Sequence, residues 1–143
     1  CLGLLFSGSW DRSLGGWDHR NNKPRVHHQS LPGKVYSMDV CQNVLVVAMA
    51  DRQVWIFDTR RMDQPLQRRE SSLKYMTRCV RAFPSGEGYV CTSVEGRVAV
   101  DFLDASDEAQ EQKYAFKCHR SAIPDQENME NVYPVNAAAF HPT

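Results

Sequence analysis

SWDRSLGGWDHR (residues 9–20) returns forty residues later as MADRQVWIFDTR (49–60). In that alignment Asp11 meets Asp51 and Arg12 meets Arg52. Trp17 meets Phe57, Asp18 meets Asp58, and Arg20 meets Arg60. A looser third copy is SVEGRVAVDFLD (93–104), which brings Arg97 and Phe102 into register at an offset of 45. A second recurring element precedes the later turns: VYSMDV (35–40), RCVRAF (78–83) and VNAAAF (135–140). Self-similarity at such a period marks an architecture of repeated supersecondary units.

The chemistry of the copies is that of strands. NVLVVAMA (43–50) and QVWIFD (53–58) are rich in β-branched and aromatic residues and too short for helices. SGEG (85–88) and Asp51-Arg52 punctuate them as hairpin turns. Asp11 and Asp51 are suited to accept hydrogen bonds from turn amides. No segment sustains an apolar period of 3.6, so the chain is expected to be almost wholly β. Units of about forty residues ending in an aromatic–Asp pair are the signature of β-propeller blades. The spacing puts the end of one blade at 1–20, a second blade at 34–60, a third at 77–104 and the start of the next at 132–143. Ser13, Leu14, Gly15 and Gly16 break the alternation of the first copy, which is expected to be the softest part.

Composition allows such a fold. The 143 residues are 42% hydrophobic and 24% charged, with a formal net charge of zero. These are globular values. The first residue is Cys1 rather than Met, and the opening CLGLLFSGSW is apolar, so the chain reads as part of a longer one. No leader and no run of 18 apolar residues is visible. Cys1, Cys41, Cys79, Cys91 and Cys118 form an odd set without a CxxC pair, read as reduced thiols rather than as a zinc site. No metal or other cofactor is expected.

The neutral total conceals an asymmetry. Residues 52–81 hold eight Lys/Arg against three Asp/Glu, whereas 82–111 hold one against seven. The basic side peaks in RRESSLKYMTR (68–78), so an acidic partner would be met by a local patch rather than by the whole surface. Catalysis is not expected. There is no GxSxG, no phosphate-cradling glycine loop and no HExxH. Cys118 and His119 are adjacent, so on a strand they would point to opposite faces.

SGSWDRSLGGWDHR, QRRESSLKYMTRCVRAFP, SVEGRVAVDFLD, KYAFKCHR and VYPVNAAAFHP together resemble the WD-repeat spindle-checkpoint family called budding uninhibited by benzimidazole three. The likeness runs over nearly the whole chain. A sister family of messenger-RNA export at the nuclear pore shares EGRVA and FKCHR but is less similar across RRESSLKY.

The resemblance implies an all-β, seven-bladed WD-repeat propeller, of which about three blades are present. It also implies a nuclear and kinetochore scaffold with a cytoplasmic pool, not an enzyme. Such a scaffold binds GLEBS segments of checkpoint kinases and phosphorylated MELT motifs of the kinetochore scaffold, with no membrane and no nucleic-acid partner expected. The family's peptide-binding positions fall on Arg78 in YMTRC, Arg97 in EGR, and Lys117 before Cys-His-Arg. The alternatives are an export-type adaptor that also touches RNA, or a truncated fragment without independent function.

Residue type suits the task independently of the family. Arg offers a planar fork that grips a carboxylate or phosphate in two places. A phosphothreonine adds roughly −1.5 to −2 charge and three acceptor oxygens. The blander reading of Arg78 and Arg97 is a blade salt bridge, and of Lys117 an idle exposed lysine. Arg68, Arg69 and Lys74 read as a solvated surface in an interblade connection, paired locally to Glu70. Tyr75 and Tyr133 read either as flanks of a peptide groove or as packing residues.

Overall fold

The chain is described here from a computed structural model covering residues 3–124 and 128–141. Its organisation follows from one apolar run. β5 (Val44–Met49) sends Leu45, Val47 and Met49 to one face and Val46 and Ala48 to the other, and all five are buried. Alternate residues of a strand point to opposite faces. A strand apolar at every position must therefore be covered on both sides, and β5 lies in a sheet sandwiched between two others.

The first sheet is β1 (Leu4–Gly8), β2 (Ser13–Asp18) and β3 (Arg25–Ser30), in that order. The second is β4 (Val35–Cys41), β5, β6 (Gln53–Asp58) and β7 (Gln67–Glu70). The third is β8 (Thr77–Ala82), β9 (Gly88–Ser93), β10 (Arg97–Phe102) and β11 (Tyr114–Lys117). All pairings are antiparallel. Three successive meander sheets stacked face to face form part of a WD-repeat β-propeller.

Two apolar clusters cement the stack. Leu14, Leu31, Val35, Leu45, Val47 and Phe57 join the first sheet to the second. Val46, Ile56, Leu73, Val80, Tyr89 and Cys91 join the second to the third. Full burial of one such side chain contributes about 1.5–3 kcal/mol.

The repeat read from the sequence recurs in the hydrogen bonds. Asp18 accepts from the Arg20 backbone N–H at 3.1 Å and from its Nε at 2.9 Å. Asp58 does the same with Arg60, at 2.9 Å for both. The sheets also extend past the spans taken from the repeat. Their outer strands β3, β7 and β11 are at least half exposed, so they carry no apolar alternation for a sequence to display.

Turn chemistry differs between the copies. Asp11 accepts from the Ser13 N–H at 2.9 Å, as expected. Asp51 makes no such side-chain bond among the described residues. Its hairpin instead puts both central residues in the left-handed region, Asp51 at φ 58° and Arg52 at φ 62°, the dihedrals of a type I′ turn. Gly15 and Gly16 have a packing reason. A Cβ on Gly15 would lie 2.9 Å from Ser7 Oγ, and one on Gly16 would lie 3.0 Å from His27 Cβ.

One helix departs from the all-strand reading. α1 (Asp107–Glu111) is a single turn capped by Ser106, whose side chain accepts from the Ala109 N–H, with Asp107 and Glu108 in its first turn. Beyond β11, β12 (Arg120–Ala122) and β13 (Glu130–Val132) pair as a small hairpin. From 133 to 141 no strand forms, although the Val135 N–H donates to Ser93 O at 3.1 Å. Residues 1 and 2, residues 125–127, and residues 142 and 143 of the fourth repeat span lie outside the described residues.

Candidate functional site

Arg78, Arg97 and Lys117 belong to three different strands of the third sheet, and strand register decides where they meet. Thr77 at the start of β8 pairs with Ser93 at the end of β9. Val98, next to Arg97, pairs with Thr92. Arg97 itself lies directly opposite Lys117. The start of β8, the end of β9, the start of β10 and the end of β11 therefore share one rim. Arg78 and Arg97 stand two strand spacings apart, roughly 10 Å.

Each residue is aimed by a local device. The pairing of β8 with β9 shifts between Thr77 and Cys79, so Arg78 is the extra residue of a bulge. Bulges redirect a side chain away from the regular faces of a sheet. Arg78 is exposed, and its Nε donates to Asn136 Oδ1 at 3.1 Å. The pairing of β4 with β5 shifts in the same way around Tyr36.

Arg97 follows the Glu95-Gly96 turn. Gly96 sits at φ +63°, and a Cβ there would lie 2.6 Å from the carbonyl oxygen of Cys118. Only glycine fits without moving that backbone. Directly paired residues of an antiparallel ladder share a face, so Arg97 and Lys117 are neighbours of like charge. Such a pair is destabilising unless something anionic lies between or beside it.

The acid on hand is Glu95, whose Oε2 lies 3.5 Å from Arg97 Nε. That nitrogen is buried and makes no hydrogen bond among the described residues. At 3.5 Å the pair is held by Coulombic attraction without hydrogen-bond geometry. Lys74, Tyr75, Glu95 and Arg97 line a cleft of about 360 Å³. A second cleft of about 340 Å³ shares Lys74 and Tyr75 and continues to Tyr36, Met49 and Arg52. Beyond it, the exposed Trp10 packs edge-on against Tyr36 at 6.3 Å, with Lys34 Nζ 5.5 Å from its ring centre. The rim thus carries cations and aromatic rings across all three sheets, with the acids Glu95 and Asp51 lining one cleft each.

Neither Lys74 nor Lys117 has an ion-pair partner among the described residues. Tyr75 is exposed in both clefts, and Tyr133 is exposed next to the Gly96 turn. The reading of Lys74 as plain surface missed its place in the cleft. Trp10, Lys34 and Tyr36 were missed altogether, because a single aromatic or lysine beside a turn carries no pattern of its own.

Arg68 and Arg69 are corrected. They lie in β7, not in a connection. The Arg68 guanidinium sits 4.8 Å from the centre of the Trp55 ring. Arg69 donates to Phe102 O at 2.5 Å and Leu103 O at 2.8 Å, clasping the second sheet to the third. Glu70 pairs instead with Arg52, at 2.9 Å.

Among the described residues no group of three His, Cys, Asp or Glu side chains converges as ligands would. Cys118 and His119 lie past the end of β11, His119 in a turn at φ 52°. Burial pushes the Cys91 thiol well above its ordinary range, which makes it inert. Among the described residues no helix is long and apolar enough to cross a membrane.

No family model matches the chain. Individual relatives do. The chain is 51% identical over 144 residues to the "Mitotic checkpoint protein BUB3.1" of Arabidopsis thaliana, a match covering 98% of the chain and 42% of that protein. It is 48% identical over 140 residues to the "Mitotic checkpoint protein bub3" of Dictyostelium discoideum, covering 96% of the chain and 41% of the relative. To a "Poly(A)+ RNA export protein" of Schizosaccharomyces pombe it is 37% identical over 139 residues, covering 97% of the chain and 38% of the relative. The chain therefore spans about two fifths of the length of the relatives it matches.

Proposed function

Because the chain belongs to the family of the Bub3 mitotic checkpoint proteins, we propose that its cationic rim holds acidic and phosphorylated extended peptides as part of a non-catalytic checkpoint scaffold. The ligands are GLEBS segments of checkpoint kinases and phosphorylated MELT motifs of the kinetochore scaffold. The place of action is the nucleus and the kinetochore, with a cytoplasmic pool.

One observation carries the reading. Arg97 and Lys117 are cross-strand partners at the rim, and Arg97 shares its cleft with Lys74, while Glu95 is the acid facing them. A surplus of positive charge kept together in a folded protein calls for an external anion. A phosphoryl group supplies three acceptor oxygens. Charge-assisted hydrogen bonds to it contribute about 1.5–3 kcal/mol each. Arg78, two strands away, takes a carboxylate of the same extended segment, and Tyr75 and Tyr133 flank it.

The test is peptide affinity in the full-length gene product. Arg97→Glu and Arg78→Glu should each weaken binding of a GLEBS or phospho-MELT peptide roughly 10- to 100-fold, the loss expected when a charge partner is removed. Unchanged affinity, with the variants folded, sinks the assignment and leaves Arg97 as the partner of Glu95 and Arg78 as the partner of Asn136. RNA binding that falls steeply with salt, together with no affinity for either peptide, would favour the export-type reading instead.

A further inference from the structure

Among the described residues Glu95 is the one acid lining the cleft that holds Arg97, and the fold fixes it there. Its side chain is only 16% exposed, against 36% for Arg97. Its backbone carbonyl accepts from Arg120 Nη2 at 2.7 Å. Arg120 is in turn tied through Nη1 to Glu130 Oε2 at 3.0 Å, across the β12–β13 hairpin. On the other side of the turn, Gly96 O accepts from the Cys118 N–H at 2.8 Å. The hairpin and the end of β11 therefore grip the turn from both sides. The carboxylate can leave Arg97 only by rotating its own side chain.

We propose that Glu95 is a resident competitor for the anion site, the residue that sets how negative a ligand must be before Arg97 accepts it. The proposal rests on the reading of the rim as an acidic-peptide site. An incoming carboxylate that displaces Glu95 exchanges one single negative charge for another, and Arg97 gains nothing. An incoming phosphoryl group brings roughly −1.5 to −2 charge and oxygens enough to reach Lys117 and Lys74 as well. The displacement penalty is the same for both ligands, so only the more strongly charged one overcomes it at working concentration. The loose 3.5 Å approach suits this role, because a fully formed bidentate pair would hold the guanidinium shut.

A rival role has the opposite sign. If Glu95 merely positions Arg97, removing its charge weakens ligand binding. The decisive variants are Glu95→Gln, which keeps size and amide packing, Arg97→Gln, and the double variant, all in the full-length gene product. The probes are a synthetic acidic peptide with one phosphothreonine and the same peptide with glutamate at that position. Both are followed by fluorescence anisotropy, with thermal midpoints confirming that each variant folds.

Glu95→Gln should tighten both probes by about fivefold, the size expected for one partly exposed ion pair. That gain brings the glutamate peptide into measurable range. In the Arg97→Gln background the same change should alter affinity by less than about twofold, because the competitor has lost its target. Weaker or unchanged binding on Glu95→Gln overturns the competitor role while leaving the site intact. An undiminished gain without Arg97 also overturns it, since the effect would then be general repulsion. If Arg97→Gln alone leaves phosphopeptide binding untouched, the rim reading falls, and this proposal with it.

Discussion

Gly96→Ala puts the turn that delivers Arg97 under test. Gly96 adopts φ +63°, and a Cβ there would sit 2.6 Å from Cys118 O and 3.0 Å from Tyr133 O, both backbone atoms. Two costs add. An alanine in the left-handed region costs about 1–2 kcal/mol. Forcing two carbonyls apart in a packed region costs roughly 1–3 kcal/mol more. The lower entropy of the unfolded alanine chain offsets about 0.4–1 kcal/mol. The net loss is about 1–4.5 kcal/mol, a large share of the roughly 5–15 kcal/mol that holds a domain folded.

Gly86→Ala supplies the matched control. Gly86 is also left-handed, at φ +78°, but the nearest atom to its would-be Cβ is Gln42 Oε1 at 3.0 Å, the far end of a flexible side chain. Its dihedral cost of about 1–2 kcal/mol is offset by the same unfolded-state entropy, about 0.4–1 kcal/mol. The Gln42 amide, which donates to Ser85 O at 3.1 Å, must shift, so the net loss stays at about 1 kcal/mol. It also lies in the turn between β8 and β9, at the opposite end of the third sheet, and should leave peptide binding alone. Urea unfolding of the full-length product, read by circular dichroism, should therefore rank wild type, Gly86→Ala and Gly96→Ala in that order. Only the last should also weaken peptide binding. Equal stability losses for the two variants would refute the argument that the Cys118 and Tyr133 carbonyls demand glycine.

Other outcomes follow from the repeated turns and the sheet edges. The Arg20 and Arg60 side chains hold the carboxyls of Asp18 and Asp58 down at about 2, against an ordinary 3.8. Their contribution to stability is therefore fully present above about pH 4 and lost as pH falls from there towards 2. Thermal midpoints of wild type and Asp58→Asn should differ at neutral pH and converge in that window, and a constant gap would contradict the pairing. Asp39 Oδ2 accepts from the Ala82 N–H at 2.9 Å across the second and third sheets. Asp39→Ala should cost about 1–3 kcal/mol in urea unfolding by stranding that amide, and Asp39→Asn, which keeps an acceptor, should cost less. Equal losses for the two would mean that the amide is not what Asp39 serves.

What the sequence disclosed was whatever repeats or is buried. The Asp18–Arg20 and Asp58–Arg60 pairs sit forty residues apart because each closes the same turn of the same unit. β5 and β6 declare themselves because both faces of the second sheet are covered. The outer strands are silent because half their residues meet water and nothing forces an apolar alternation. β7 shows how far this misleads. QRRE (67–70) has the composition of a loop, yet Arg69 is fixed by carbonyls of the next sheet and Arg68 lies on Trp55. The candidate site was legible residue by residue only through a family likeness. That Arg97 faces Lys117 depends on the register of strands twenty residues apart, and that Arg78 leaves the sheet plane depends on a one-residue bulge. Neither leaves a local mark in the amino-acid order.

The stitching between the second and third sheets runs in one sense. Ser37 Oγ accepts from the Val80 N–H, Asp39 from the Ala82 N–H, Cys41 Sγ donates to Pro84 O and Gln42 Nε2 to Ser85 O, each pair 43 residues apart. The upstream sheet contributes side chains and the downstream sheet its bare backbone. The joint is therefore directional, like roof tiles laid from one end. As the polypeptide leaves the ribosome, the third sheet finds its exposed amide edge already provided for by the second. Growth in that order hides the sticky edge at birth, and the reverse order would leave it open to strangers.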